Sequence, residues 1–412
     1  MNLFIKNIGQ LVTVAAHGKK LKIKEEMREL HVVTNASLLI ENGLITAIGA
    51  DGELSAPDDI DVLDADGMAV LPGFVDSHTH AVFAGSRENE FTMRSEGKTY
   101  QEIAEAGGGI LSTMRATRDA TKRELYKLAD HRLNEMLRYG TTTVEIKSGY
   151  GLSPESEMKI LEVISDLKRD HYATIVPTFL GAHAFPPEYA DDHAGYVEKL
   201  CNFILPYVAE KNLATFIDVF CEKGYFDLKQ TEQIILEAKR LGLIPKLHAD
   251  QLSAFGASEL GAKLNAVSVD HLEMMTEGAI DALRHSSTIA TVLPGASFFL
   301  NHPYAPARKI IDAGIPLALA TDFNPGSSMG YSMQMMMTIA CTQMKMTPEE
   351  AVTAATLNGA AALGMSHEVG SIEIGKQADV VVYGVREYRT IAYHYGVNHA
   401  KKIIKNGVLL DF

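Results

Sequence analysis

The chain has 412 residues, 46% of them hydrophobic and 22% charged, a balance that fits a globular protein with one large domain and an accessory one. Its 52 acidic residues outnumber 38 basic ones, and the net charge of −14 argues against a nucleic-acid or anionic-membrane surface and requires local positive charge wherever an anionic ligand is to be held. Three scattered cysteines (Cys201, Cys221, Cys341) lack CxxC spacing, and no stretch reads as a signal peptide or a membrane span, so the expectation is a reducing, cytoplasmic setting without disulfides.

Near the start, "LLIENGLITAIG" (residues 38–49) sets two apolar runs around Asn42-Gly43. Near the end, "SIEIGKQADVVVYGV" is followed by "KKIIKNGVLL" (residues 401–410), which repeats the device around Asn406-Gly407. Asn-Gly between β-prone runs signals a hairpin, because both turn positions need positive φ. The two ends, residues 1–66 and 368–412, are therefore expected to pair into one small β-sandwich domain.

The middle, residues 67–367, alternates short apolar runs with helical patterns such as "KRELYKLADHRLNEMLRYG" and "TEQIILEAKRLGL". Eight runs stand out, at 69–75, 141–146, 173–179, 215–220, 243–247, 266–269, 288–293 and 315–320. Eight strand–helix units predict an α/β fold, a (β/α)8 TIM barrel, with a doubly wound open sheet as the alternative.

Active groups of such barrels sit at the C-terminal ends of the strands. The runs end in "DSHTH", "EIKSGYG", "LGAHAF", "KLHADQ", "SVDHLE" and "ATDFNPGS", so His78, His80, Tyr150, His183, His248, Gln251, His271, Asp322 and Asn324 all fall where one mouth would gather them. On a strand, His78 and His80 share a face. Protonated they would repel; neutral, they make half of a metal site. Each residue alone has a plainer role: His78 and His80 as loop polar groups, His248 as a structural imidazole, Asp322 as a helix N-cap. Together, three imidazoles and a carboxylate match the ligand preference of zinc or ferrous iron. The glycines Gly107–Gly109 lack a following Lys-Ser/Thr and read as a lid, from which Tyr100 would reach the site. "MQMMM" (residues 333–337) reads as core.

"PGFVDSHTH", a histidine after the fifth and sixth runs, and "TDFNPGS" after the eighth resemble the metal-dependent amidohydrolase superfamily. Within it, "HTHAVFAGSRENEF", "TYQEIAEAGGGI", "TTTVEIKSGYGL", "TFLGAHAFPPEY", "KLHADQLS" and "LATDFNPGSS" are similar, in order along nearly the whole chain, to the ring-opening enzymes of histidine degradation. The resemblance implies hydrolysis of 4-imidazolone-5-propanoate, a small anionic heterocycle, to N-formimidoyl-L-glutamate by a metal-activated water. It implies His78, His80, His248 and Asp322 as ligands of one ion, zinc or iron, and Arg87, Tyr150, His183, Gln251, Asn324, Gly326 and Ser327 as substrate contacts. It also implies a homodimer. Many members hold a second ion through a carbamylated lysine after the fourth strand; here Lys223 lies beyond Cys221 and Glu222, out of place, which favours one ion. Asp322 is expected as the base, His271 as its partner in proton movement, and His183 as a donor to the oxyanion. Arg87 has Glu88 and Glu90 as alternative partners. A deaminase of a nitrogen heterocycle and a barrel without chemistry are the competing expectations.

Overall fold

The computed structural model describes residues 2–50, 52–98, 102 and 106–411. Strands from both chain ends share one mixed sheet: β1 (Leu3–Val12), β2 (Val32–Glu41), β3 (Leu44–Ala50), β4 (Asp61–Asp64) and β5 (Ala69–Pro72), with β14 (Val380–Tyr383), β15 (Ala400–Lys405) and β16 (Val408–Leu410). The order is β16-β15-β14-β5-β1-β2-β3, with β4 against β1. Both Asn-Gly turns join antiparallel neighbours, and Asn42, Gly43, Asn406 and Gly407 all have the positive φ this turn demands. Ile5, Ile8, Leu11, Leu38, Ile40, Val380, Val382 and Ile404 form its buried core.

The second sheet holds the eight middle runs in sequence order. β6 (Phe74–Asp76), β7 (Thr141–Lys147), β8 (Thr174–Ala182), β9 (Phe216–Cys221), β10 (Ile244–Ala249), β11 (Ser268–His271), β12 (Ile289–Val292) and β13 (Leu317–Leu319) pair in parallel, each with the next. The ends meet just beyond the strands: Thr79 bridges Phe323, His80 N–H donates to Phe323 O at 2.9 Å, and Asp322 N–H donates to His78 O at 3.0 Å. The ring is thus closed by the backbone of the residues singled out as metal ligands. Helices cover it, several started by the expected caps: Thr121 with Glu124 opens Lys122–Arg138, and Asp227 with Gln230 opens Leu228–Arg240. Met333, Met336 and Met337 are buried, as expected for core. Among the described residues no helix is long and apolar enough to cross a membrane.

The first run does not stay one strand. It divides at Gly73 into β5, which belongs to the end sheet, and β6, which opens the barrel, so the end sheet reaches past the expected boundary at residue 66. Gly73 N–H donates to Asp379 O at 2.9 Å, and a Cβ at Gly73 would fall on the buried Thr142 side chain. The chain can pass from one sheet to the other only where the residue carries no side chain.

Gly73→Ala is therefore expected to cost about 1–3 kcal/mol, the usual cost of overpacking, read as a lowered urea midpoint. Gly330→Ala, where nothing lies within 4 Å of the added Cβ, should leave the midpoint in place. Equal midpoints for the two variants would contradict this account of the junction.

Candidate active site

His78 and His80 leave β6 with ring centroids 5.3 Å apart. His248, near the end of β10, stands 4.5 Å from His78 and 5.5 Å from His80. Asp322, after β13, places Oδ1 3.5 Å from His78 Nε2 and 3.4 Å from His80 Nε2. All four are at most 3% exposed. Asp322 has φ 53° and His271 φ 88°, left-handed backbone in non-glycine residues at the ends of two strands, and both side chains turn into the mouth.

Beneath them lies a layer of buried charge. Asp270 Oδ2 is 2.6 Å from His78 Nδ1, and Asp218 Oδ2 is 2.9 Å from His248 Nδ1, the latter off the line of a good hydrogen bond. Lys147 Nζ lies 2.7 Å from Glu145, 2.8 Å from Asp218 and 3.8 Å from Asp270. Lys246 Nζ donates to Ser77 O at 2.9 Å and lies 3.5 Å from Glu145. None of these five charged side chains has any solvent exposure. Burial opposes the charge on Lys147, but Asp218, Glu145 and Asp270 outweigh it and raise its pKa. Burial likewise opposes ionised Asp218, and His248 and Lys147 outweigh it and hold the carboxyl well below its usual range.

The residues suit a cation. Burial, then Lys147, holds His78 well below the usual imidazole pKa, so its ring is neutral. Asp270 takes the Nδ1 proton, which leaves a lone pair on Nε2, and that buried nitrogen has no hydrogen-bond partner among the described residues. It faces Asp322, an acceptor, so two electron-rich atoms confront one another with nothing between them. The three buried carboxylates exceed the two lysines by one charge, and Asp322 adds another, a surplus that a divalent ion would balance. Carboxylates behind ligating histidines are the usual device for fixing the ring and raising its basicity. Lys223 is exposed after β9, where it cannot bridge a second ion at this floor.

Above the floor opens a cavity of about 790 Å³. It is lined by His80, His248, His271 and Asp322, and also by Arg87, Tyr150, His183, Gln251, Asn324, Gly326 and Ser327. His78 lies below it, fully buried. Tyr100 lies outside the described residues. Tyr150 is held by its loop: the buried Glu157 carboxylate accepts the N–H groups of Gly149, Gly151 and Leu152 at 2.7–3.0 Å. Burial raises the Tyr150 phenol above its ordinary pKa, so it stays a donor. Glu222 plays the matching part after β10, accepting from Leu252 N–H at 2.9 Å and Ser253 N–H at 3.2 Å beside Gln251.

Three expected roles look different in place. His183 Nδ1 lies 3.0 Å from Gly149 O, which can only accept, so Nδ1 carries the proton. Burial, then His80 and His248, keeps the ring neutral, which makes Nε2 an acceptor and opposes the expected donation to an oxyanion. His271 fits that role better. Burial opposes its charge, but Glu273, with Oε1 3.4 Å from Nδ1, and Asp322 raise its pKa. Asn324 is occupied with its own loop: Nδ2 donates to Asp322 O and to Ser327 Oγ at 2.7 Å, and Oδ1 accepts from Gly326 and Ser327 N–H at 2.8 Å. Arg87 grips Glu90, Nε to Oε1 at 2.9 Å and Nη2 to Oε2 at 2.6 Å.

Glu145, Lys147, Asp218, Lys246 and Asp270 were not singled out from the sequence. The signal was there: each is a charge inside an apolar strand, and Lys246 lies two residues before His248, on the same face.

A model of the amidohydrolase family matches residues 242–409. Solved structures share the architecture: E. coli guanine deaminase superposes with a TM-score of 0.74 at 17% identity, covering 100% of this chain and 99% of that one. A zinc-bound adenosine deaminase from Xanthomonas campestris gives 0.72 at 19% identity, over 99% of this chain and 92% of that one. These show the fold alone. Full-length relatives are much nearer in sequence. The imidazolonepropionase of Geobacillus sp. (strain WCH70) is 48% identical over 98% of this chain and 97% of its own length. That of Parabacteroides distasonis is 46% identical over 99% and 98%. With the barrel, the histidine–aspartate floor and this extent of identity together, the chain belongs to the imidazolonepropionase family.

Proposed function

We propose that the chain hydrolyses the ring amide of 4-imidazolone-5-propanoate, adding one water across the C–N bond to give N-formimidoyl-L-glutamate. One observation carries this reading: three buried imidazoles and Asp322 converge at the floor of a cavity in a chain 48% identical to an imidazolonepropionase. His78, His80, His248 and Asp322 would hold one ion, zinc or iron. Such an ion supplies a Lewis acid that brings the pKa of a water from 15.7 toward about 7 and polarises the amide carbonyl.

The protein's own groups do the rest. Asp322 is ionised at neutral pH: burial opposes this, but His80, His271 and His248 together hold its pKa below the ordinary value. Its Oδ2 accepts from Ser327 Oγ at 3.2 Å, which holds the carboxylate in place to take a proton from the attacking water. His271, with its charged form favoured by Glu273, faces the same space and serves as donor to the oxygen that gains charge, or to the departing nitrogen. His183 Nε2 accepts a ring N–H and sets the heterocycle's orientation, with Tyr150 and Gln251 on either side of the mouth. Asn324 acts through the loop it ties, keeping Gly326 and Ser327 at the rim. The enzyme is placed in the cytoplasm, in keeping with its cysteine usage, and as a homodimer by resemblance.

Incubation with 4-imidazolone-5-propanoate is expected to yield N-formimidoyl-L-glutamate with no ammonia. Ammonia release from a nitrogen heterocycle, with this substrate left intact, would point to a deaminase instead.

Asp322→Asn should lower kcat by about two to four orders of magnitude, the scale of a general acid–base group, with metal occupancy measured alongside. A fully metallated variant of near-normal kcat would remove Asp322 as the base.

Asp270→Asn keeps the shape behind His78 and loses the charge. Metal affinity, read by competition with a chelator on folded protein, is expected to fall about ten- to a hundred-fold. Unchanged affinity would mean that the carboxylate serves packing alone.

A further inference from the structure

The cavity rim carries two arginines and one buried carboxylate, and they are not used alike. Arg87 precedes the helix Glu88–Ser95 and Arg94 lies within it. The Nε/Nη2 edge of Arg87 is filled by Glu90, whose Oε1 also accepts Gly109 N–H at 2.9 Å. Arg87 and Glu90 are only 10% and 8% exposed at their side chains, so this is a sheltered, two-point ion pair. It ties the start of the helix to the end of the glycine segment.

Arg94 is held differently. Its Nη1 donates to Gly326 O at 3.1 Å, and its guanidinium carbon lies 5.2 Å from the centre of the Phe299 ring. These contacts fix the plane of the group. The opposite edge, Nε and Nη2, is buried and has no hydrogen-bond partner among the described residues. A charged edge withdrawn from water and left unpaired is costly, and the shape of this edge matches a carboxylate in a two-point grip. Charge gives the same answer. Arg87 and Arg94 both line the cavity with Glu90 between them in charge, so one positive charge is unbalanced. Lys98, also on the cavity wall, is half exposed and lies 3.4 Å from Glu102, at the outer rim.

We infer that Arg94, through its Nε/Nη2 edge, receives the carboxylate of the substrate's acidic tail and sets the preference for a charged tail, while Arg87 holds Glu90 and the rim in position. The inference rests on the ring-opening activity proposed above, and its test separates the two. Both 4-imidazolone-5-propanoate and its neutral propanamide are presented to the wild-type enzyme and to Arg94→Gln, Arg94→Lys and Arg87→Gln variants. The wild type should favour the acid over the amide in kcat/KM. Arg94→Gln should raise KM for the acid about ten- to a hundred-fold with kcat little changed, and leave the amide's constants alone. Arg94→Lys, which retains charge and a donor toward Gly326 but not the fork, should lie between. Arg87→Gln should impair both substrates alike, because it leaves buried Glu90 unpaired. Equal losses on acid and amide in both Arg94 variants, or a wild type indifferent to the tail's charge, would overturn the assignment. A wild-type enzyme that opens neither ring would remove the proposed activity, and this inference with it.

Discussion

The site depends on an ammonium group that has nowhere to go. Lys147 is wholly buried at the end of β7, and three carboxylates within 3.8 Å answer its charge. Two of them, Asp218 and Asp270, also stand behind His248 and His78. Taking charges out of water is expensive unless each is paired closely, so the positions of these groups are strongly coupled. The coupling fixes two imidazole rings, and their free nitrogens then point to one place. Removing one member would leave its partners charged and unanswered, and the floor of the cavity would shift with them.

Closure of the barrel works on the same residues from the backbone side. His78 O and His80 N bond to Asp322 N and Phe323 O across the seam between first and last strands. The buried Asp76 carboxylate, just before, accepts from Thr321 N at 3.0 Å and Thr321 Oγ1 at 2.6 Å. The histidine pair and Asp322, remote in sequence, are therefore in register before any ion or substrate adds its interaction. Higher in the mouth, neutral His183 and Tyr150 offer one acceptor and one donor, and the arginines supply positive potential against a chain of net charge −14. The cavity is layered: an electron-rich floor suited to a cation, a polar middle suited to a small heterocycle, and a cationic rim suited to an acidic tail.

Much of this was legible in the sequence, for identifiable reasons. The barrel strands are short apolar runs followed by reactive residues, and strand ends are where such barrels keep them, so His78, His80, His248 and Asp322 could be grouped before any coordinates. The two Asn-Gly turns announced the end sheet. The split at Gly73 was not legible, since an apolar run carries no mark of which sheet each half joins. Tautomers were hidden too: that His183 carries its proton on Nδ1 depends on Gly149 O, a backbone contact set by the turn. The pairing of Arg87 with Glu90 was foreseen as an alternative, but which arginine keeps an open edge depends on the helix's placement against Gly326 and Phe299.

The central claim is that the buried carboxylate layer and the barrel seam together build a floor for one metal ion. Elemental analysis of purified protein, alongside the His78→Ala and His248→Ala variants with fold checked by circular dichroism, tests it most directly. The account predicts one tightly held zinc or iron per chain in the parent and little or none in either folded variant. Two ions per chain, or a single ion retained at full stoichiometry by both variants, would contradict it.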